Sequence, residues 1–242
     1  MEGFIRSPNG LELTEHCPNC SIRSSGFFCE LNPPALKSLD QVKFTTGYPQ
    51  GALLFVEGDS PRGVFILCRG RVKLTVTSSQ GKSLILRICN PGEVLGLNAA
   101  VSGKPFQATA ETLENCQISF IKREDFLRFL QEQSAASIRA SQQLSNNYQA
   151  ALGQLRSLGL SHSASERFAR FLLDWASQGQ DSEHGIRVRM TLTQEEIGQI
   201  IGTSRETVSR MFSEFRTNQF ATMKGSTLVI QNKVALEKIM AA

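Results

Sequence analysis

A chain of 242 residues, 40% hydrophobic and 20% charged, can bury one large core or two modest ones, and none of its apolar runs approaches the roughly eighteen residues that a membrane helix requires. Its start, MEGFIRSPNGLELTEH, lacks a basic region followed by an apolar one, so the expected location is the cytoplasm. The net charge of +4 permits nucleic-acid binding without arguing for it, but its distribution says more: the first thirty residues hold four acids against two arginines, whereas Arg205 to Lys233 holds five bases against two acids.

Residues 1–30 are polar and turn-forming and carry three cysteines in the run C-P-N-C-S-I-R-S-S-G-F-F-C. The C-x-x-C pair Cys17 and Cys20 places two thiolates on one local turn, and Cys29 can fold back onto them, which leaves one ligand of a metal centre to find. A segment this polar has no core in which cysteines would be packing residues. Thiol oxidation between Cys17 and Cys20 is the alternative chemistry, and His16 beside them is incidental. In a cytosolic chain a disulfide framework is not expected.

From Leu31 short apolar or alternating runs follow one another, broken by Gly58-Asp59, Gly70, Gly81 and Pro91-Gly92. Such spacing predicts an antiparallel β sandwich or jelly roll over 31–122. Cys68 and Cys89 lie inside its apolar runs and read as small buried core residues. Beyond Lys122 the period changes to about 3.6, and residues 123–158 read as one helix. In its second half Ser141, Leu144, Tyr148, Ala151, Leu155 and Leu158 fall at heptad spacing, a seam suited to pairing with an identical helix. Ser134 to Ser141 is rich in serine and alanine and would make the first half of that seam weak.

Residues 159–163 read as a hinge, Ser165 to Ser177 as an amphipathic helix, Gln178 to Gly185 as a polar loop and I-R-V-R-M as a strand. Thr193 to Arg216, T-Q-E-E-I-G-Q-I-I-G-T-S-R-E-T-V-S-R-M-F-S-E-F-R, reads as a helix-turn-helix. Its inward residues are Ile197, Gly198, Ile201, Gly202, Val208 and Met211, and Thr193/Glu196 and Thr203/Glu206 form two capping boxes. Thr203 and Ser204 open the second helix, Arg205, Glu206, Ser209 and Arg210 face outward, and all six are candidate DNA contacts. Arginine can fork onto guanine and glutamate can accept from cytosine. The two strand runs around Lys224-Gly225-Ser226 suggest a wing, with Lys224 a phosphate contact. No catalytic constellation is present: His16, His162 and His184 are scattered, so an enzyme is not expected.

The run E-I-G-Q-I-I-G-T-S followed by R-E-T-V-S-R is similar to the recognition element of the CRP/FNR family of bacterial transcription regulators. F-x-x-G-D at Phe55 to Asp59, G-x-V at Gly70 to Val72 and P-G at Pro91-Gly92 resemble the cyclic-nucleotide-binding fold of the same family. The resemblance implies an α+β chain: an N-terminal cysteine-rich segment (1–30), a jelly-roll sensor (31–122), a dimerisation helix (123–158) and a winged helix-turn-helix domain (159–242). It implies a homodimer on double-stranded DNA with a near-palindromic site, and RNA polymerase as a further partner. Glu206, Ser209 and Arg210 match the FNR-type reading set and Arg205, Glu206 and Arg210 the CRP-type one. Arg210 would read guanine and Glu206 the cytosine opposite, in the G-A step shared by the half-sites TTGAT and TGTGA.

Family members that bind a cyclic nucleotide hold its phosphate with an arginine just after the P-G-E segment. Residues 96–111 here contain no arginine, and Lys104, between Gly103 and Pro105, reads as a solvated loop residue, so cyclic-nucleotide control is not expected. Cys116, in C-Q-I-S-F-I, corresponds to the strand that carries the fourth cysteine in iron-sulfur members. Cys17, Cys20, Cys29 and Cys116 would then bind an iron-sulfur cluster such as [4Fe-4S], although eight residues between Cys20 and Cys29 is a wider spacing than in well-known members. Zinc would accept the same thiolates, and a small effector in the jelly roll is the other route of control. A redox or metal-storage protein without DNA function is the reading from a different class.

Overall fold

Asn32 and the proline pair after it start the first long helix of the chain. The Asn32 side chain accepts the Ala35 N–H at 2.9 Å, and Pro33 and Pro34 occupy first-turn positions whose N–H groups would have no helical partner. This helix, α1 (Pro33–Val42), stands where strands were expected from Leu31. The computed structural model describes residues 5–6, 12–13, 16–17, 20, 28–161, 163–177, 179–183 and 185–241. They form two compact units, residues 1–151 and 152–242. His162 and His184 lie outside the described residues.

In the first unit a small antiparallel pair, β1 (Ile5–Arg6) and β2 (Glu12–Leu13), precedes α1. Eight strands follow: β3 (Lys43–Tyr48), β4 (Leu53–Phe55), β5 (Gly63–Arg69), β6 (Val72–Thr77), β7 (Ser83–Cys89), β8 (Val94–Leu95), β9 (Thr109–Thr112) and β10 (Cys116–Lys122). A short helix, α2 (Leu97–Ser102), separates β8 from β9. The strands build two four-stranded antiparallel sheets, ordered β3-β10-β5-β8 and β4-β9-β6-β7, as the turn-punctuated runs predict.

The ladder between β5 and β10 divides the side chains of this unit. Phe120 stands opposite Phe65, Ser119 opposite Ile66 and Ile118 opposite Leu67, and successive residues of a strand point to opposite faces. Phe65, Leu67, Cys116 and Ile118 therefore enter a core shared with Val72, Cys89 and Ala110 of the second sheet. There Phe55 and Phe106 stack at 4.0 Å between ring centroids. Val64, Ile66 and Ile121 face the other way and bury against Leu36 and Leu39 of α1 and against Phe28.

Instead of one helix over 123–158 there are two, α3 (Arg123–Glu132) and α4 (Ser134–Leu160). They are separated at Gln133, whose backbone is extended (φ −118°, ψ 91°). The break lets Phe126 and Phe129 of α3 and Ala136 and Ala140 of α4 bury in the same core. The small residues at the start of α4 thus pack on their own domain. Gln143 is fully buried on the same helix: its Oε1 accepts the Val94 N–H at 2.9 Å and its Nε2 donates to the Val94 carbonyl at 2.6 Å. The amide pairs with the last strand of its sheet, β8, as a neighbouring strand would.

The second unit holds α5 (Ala164–Ala176), β11 (Gln180–Ser182), β12 (Gly185–Arg189), α6 (Gln194–Ile201), α7 (Arg205–Thr217), β13 (Ala221–Lys224), β14 (Thr227–Ile230) and α8 (Lys233–Ala241). Its sheet runs β11-β12-β14-β13. The stretch 178–185, expected as a plain loop, carries β11, which forms a hairpin with β12. Phe168 of α5 meets Phe212 edge-on at 4.8 Å and Phe215 at 5.1 Å, fixing α5 to α7. No helix among the described residues is long and apolar enough to cross a membrane.

Gln143→Leu keeps the volume of the side chain but leaves the Val94 N–H and C=O buried without partners. The expected loss is about 2–4 kcal/mol of unfolding free energy, read by chemical denaturation; an unchanged midpoint would show that water replaces the amide.

Candidate DNA-reading helix and a cysteine-lined pocket

Thr193 closes the capping box of α6 from both sides: its Oγ1 accepts the Glu196 N–H at 3.1 Å, and Glu196 Oε2 accepts the Thr193 N–H at 2.9 Å. The helix ends at Gly202, whose φ of 69° is left-handed. Gly198 lies against the turn, and a Cβ there would stand 2.8 Å from the Thr203 carbonyl oxygen. The expected second capping box is displaced by one residue. Thr203 belongs to the turn, its N–H donating to the Gly198 carbonyl at 2.9 Å, and Ser204 is the N-cap of α7, accepting the Thr207 N–H at 3.3 Å. Arg167 of α5 donates from Nε to the Ile201 carbonyl at 2.7 Å, holding the C-terminal end of α6.

Val208, Met211 and Phe215 are the buried face of α7, and Ser204, Arg205, Glu206, Ser209 and Arg210 are all exposed. Hydrogen bonds to the Glu206 carboxylate from its own backbone N–H and from Ser204 hold its pKa below the usual carboxylate value, with a smaller contribution from Arg205. In the free protein this carboxylate is therefore ionised and turned toward the start of its own helix. Lys224 is exposed at the end of β13, beside Gly225 in the turn to β14. The wing reading thus has its hairpin, with the lysine at the tip.

Cys17, Cys20 and Cys29 line one pocket of about 30 Å³ on the α1 side of the β3-β10-β5-β8 sheet, and the fourth cysteine there is Cys68 of β5. Cys17 and Cys20 share a turn, the Cys20 N–H donating to the Cys17 carbonyl at 3.3 Å. Asp40 of α1 anchors it, accepting the Cys17 N–H at Oδ1 (2.9 Å) and meeting His16 Nδ1 at Oδ2 (2.8 Å). Lys43, whose side chain is 4% exposed, lines the pocket with its ammonium 3.2 Å from Asp40 Oδ1. Burial pushes Asp40 up, but the hydrogen bonds from Cys17 and His16 and the Lys43 charge outweigh it, so its carboxyl lies below the ordinary value. Burial pushes the Cys17 thiol up to about 12, only partly offset by Lys43. Cys68 is also raised by burial, and its Sγ lies 3.5 Å from Ser119 Oγ.

Cys116 is not brought to this pocket. It is fully buried in the core between the sheets, with Sγ donating toward the Glu114 carbonyl at 3.2 Å and the Arg71 carbonyl at 3.4 Å. Gly70 lies against it, where a Cβ would stand 2.5 Å from the sulfur. The expected set of Cys17, Cys20, Cys29 and Cys116 is therefore divided between two faces of one sheet. Cys89 is buried in the same core as Cys116, as expected, whereas Cys68 is half-buried at the pocket. Among the described residues no three His, Cys, Asp or Glu side chains are drawn together to hold a metal ion. The alternation of G-V-F-I-L-C-R and C-Q-I-S-F-I-K was the signal that could have told Cys68 from Cys116.

On α4, Tyr148, Ala151 and Leu155 are exposed, with Tyr148 and Leu155 at 63% and 68%. Leu144 packs on the core of its own unit, and Leu158 lies beside Gly202, so these two positions of the expected seam already have partners. Ile138, which the heptad reading passed over, is 59% exposed.

Comparison with known proteins finds the same two domains. Residues 45–133 match the model of the cyclic nucleotide-binding domain and residues 166–239 that of the Crp-like helix-turn-helix domain. The cAMP-activated global transcriptional regulator CRP of Salmonella typhimurium is 26% identical over 184 residues, covering 76% of this chain and 87% of that one. The fumarate and nitrate reduction regulatory protein of Vibrio cholerae is 26% identical over 230 residues, covering 93% and 90%. FixK2 from Bradyrhizobium japonicum shares the fold, with a TM-score of 0.72 at 23% identity over 83% of this chain and 98% of that one.

With the Cys17 pKa at about 12, only on the order of one thiol in ten thousand is ionised at pH 8 in the metal-free protein. Alkylation of Cys17 by iodoacetamide is expected to be at least a hundredfold slower in the folded protein than in urea. Equal rates would show that the thiol is not held in a desolvated site.

Proposed function

This chain belongs to the CRP/FNR family of DNA-binding transcription regulators, and we propose that it acts as a homodimer on a near-palindromic site under the control of oxygen or redox state through its cysteines. The observation that carries the proposal is the gathering of Cys17, Cys20 and Cys29 in one pocket, joined to the helices that follow the sheet. Phe28, next to Cys29, is buried against Phe126 and Phe129 of α3 at 6.0 and 6.3 Å. Glu30, on its other side, meets Arg139 of α4 at 3.1 Å. That ion pair is half-exposed and contributes about 1 kcal/mol or less, while burying Phe28 is worth roughly 2–3 kcal/mol. A shift of Cys29 is therefore felt by α3 and α4 chiefly through Phe28.

Dimerisation would use the exposed stripe of α4 around Tyr148, Ala151 and Leu155, two copies of which supply the two-fold axis that paired half-sites require. Arg210 would fork onto the guanine of the G-A step in TTGAT or TGTGA, and Glu206 would leave its own helix start to accept from the cytosine opposite. Arg205 and Ser209 would set the flanking preference, and RNA polymerase is the expected protein partner.

For the signal, an iron-sulfur cluster is the group proposed, and when bound it would supply one-electron chemistry and sensitivity to oxygen. The thiols of the pocket would hold it, and Lys43 would offset part of their negative charge. Zinc on the same thiols is the second reading. Thiol oxidation between Cys17 and Cys20 is the further alternative on the same residues. The Salmonella relative is cAMP-activated, but cyclic-nucleotide control is not proposed here. Residues 96–111 lack an arginine, and Phe55, Phe65, Phe106 and Phe120 pack together inside the sandwich, where a phosphate would be desolvated without a charged partner.

Fluorescence anisotropy against half-site and scrambled duplexes tests the DNA reading. Arg210→Ala is expected to remove the preference for the specific site, a loss of about 1–3 kcal/mol per half-site, while Lys224→Ala weakens both duplexes alike and lowers the salt slope by about 1. Retention of site preference by Arg210→Ala would defeat the assignment. Anaerobic purification followed by iron and acid-labile sulfide analysis tests the cluster, and absence of both would remove it.

A further inference from the structure

We propose that Cys68 of β5, and not Cys116, completes a four-thiolate metal site with Cys17, Cys20 and Cys29. The inference rests on reading the cysteine pocket as metal- or cluster-binding, and it assigns the ligand that reading left to be found. All four sulfurs belong to residues lining one pocket. They reach it from three different parts of the unit: the turn of Cys17 and Cys20, the segment just before α1, and the strand β5.

The pleat makes the choice between the two candidates. On β10, Gln117 and Ser119 line the pocket, so Cys116, one residue before Gln117, points to the opposite face. Its sulfur is enclosed by Gly70 and two backbone carbonyls, and bringing it to the pocket would take a one-residue slip of the strand. That slip would push Gln117 and Ser119 into the apolar core. Cys68 needs no such change. It is half-buried at the pocket, and its weak contacts run to Ser119 Oγ at 3.5 Å and the Ile66 carbonyl at 3.7 Å. The donor set is four soft sulfur ligands, which would bind as thiolates, beside one buried cation, Lys43, and it suits iron in a cluster or zinc rather than a hard cation.

The test uses the full-length protein purified without oxygen, as wild type, Cys68→Ser and Cys116→Ser, with iron, zinc and acid-labile sulfide measured per chain and folding checked by circular dichroism melting. Cys68→Ser is expected to lose metal at least tenfold while Cys116→Ser retains the wild-type content. Cys116→Ala, which removes the buried sulfur without adding a hydroxyl, guards the comparison against a folding defect. Loss of metal in the folded Cys116 variants with retention in Cys68→Ser overturns the inference and leaves the metal-site reading standing. Zinc without sulfide, lost in Cys68→Ser, supports the ligand set and overturns only the iron-sulfur identity. Wild-type protein without any metal overturns both.

Discussion

The antiparallel ladder of β5 and β10 is the constraint on which the rest of the first unit depends. Its residues alternate between two cores, one shared with the facing sheet and one shared with α1, Phe28 and the helices α3 and α4. Each buried Phe, Leu or Ile along it is worth roughly 1.5–3 kcal/mol, and a one-residue slip would forfeit several at once. The same slip would carry Gln117 and Ser119 into an apolar core, adding about 1–3 kcal/mol for each polar group left unpaired. With the register held this firmly, the position of each cysteine on the two strands follows from its parity.

What the second core receives explains how the cysteine segment, too polar to fold alone, is held. Asp40 binds the backbone of the C-x-x-C turn and Phe28 inserts among Phe126 and Phe129. Ala136 and Ala140 of α4 share that core, and Gln143 binds the last strand of the sheet. Pocket, sheet and helices of this unit are thus one packed body, with Phe28 between the cysteine segment and the helices.

In the second unit the decisive constraint is close approach of backbones. Gly198 admits the Thr203 carbonyl, Gly202 ends α6, and together they take one more residue into the turn than a capping box at Thr203 would allow. The helix consequently begins after Ser204, which still leaves Arg205, Glu206, Ser209 and Arg210 on the face opposite Val208, Met211 and Phe215. The reading face survives the displacement because it is set by helical period and not by the identity of the cap.

Local pattern alone determined much of this protein. The period-two runs between glycines specify a sandwich, the Gly and Ile spacing with its polar outer face specifies a helix-turn-helix, and the C-x-x-C pair specifies a shared turn. Each of these is an interaction among residues close in the chain, so it is legible in the chain. The start of α1 was equally local, written in Asn32 and the two prolines, but it was masked by the strand-like runs around it. What tertiary structure decided were the pairings between distant segments. The break at Gln133 exists because α3 and α4 bury into one core, Leu144 is withdrawn from the exposed stripe by that same core, and Gln143 is buried because Val94 lies against it. Which strand cysteine shares a pocket with the three N-terminal cysteines is the clearest case: family resemblance pointed to Cys116, yet the face that each one takes depends on the parity of two strands in a sheet, and it is Cys68 that lines the pocket.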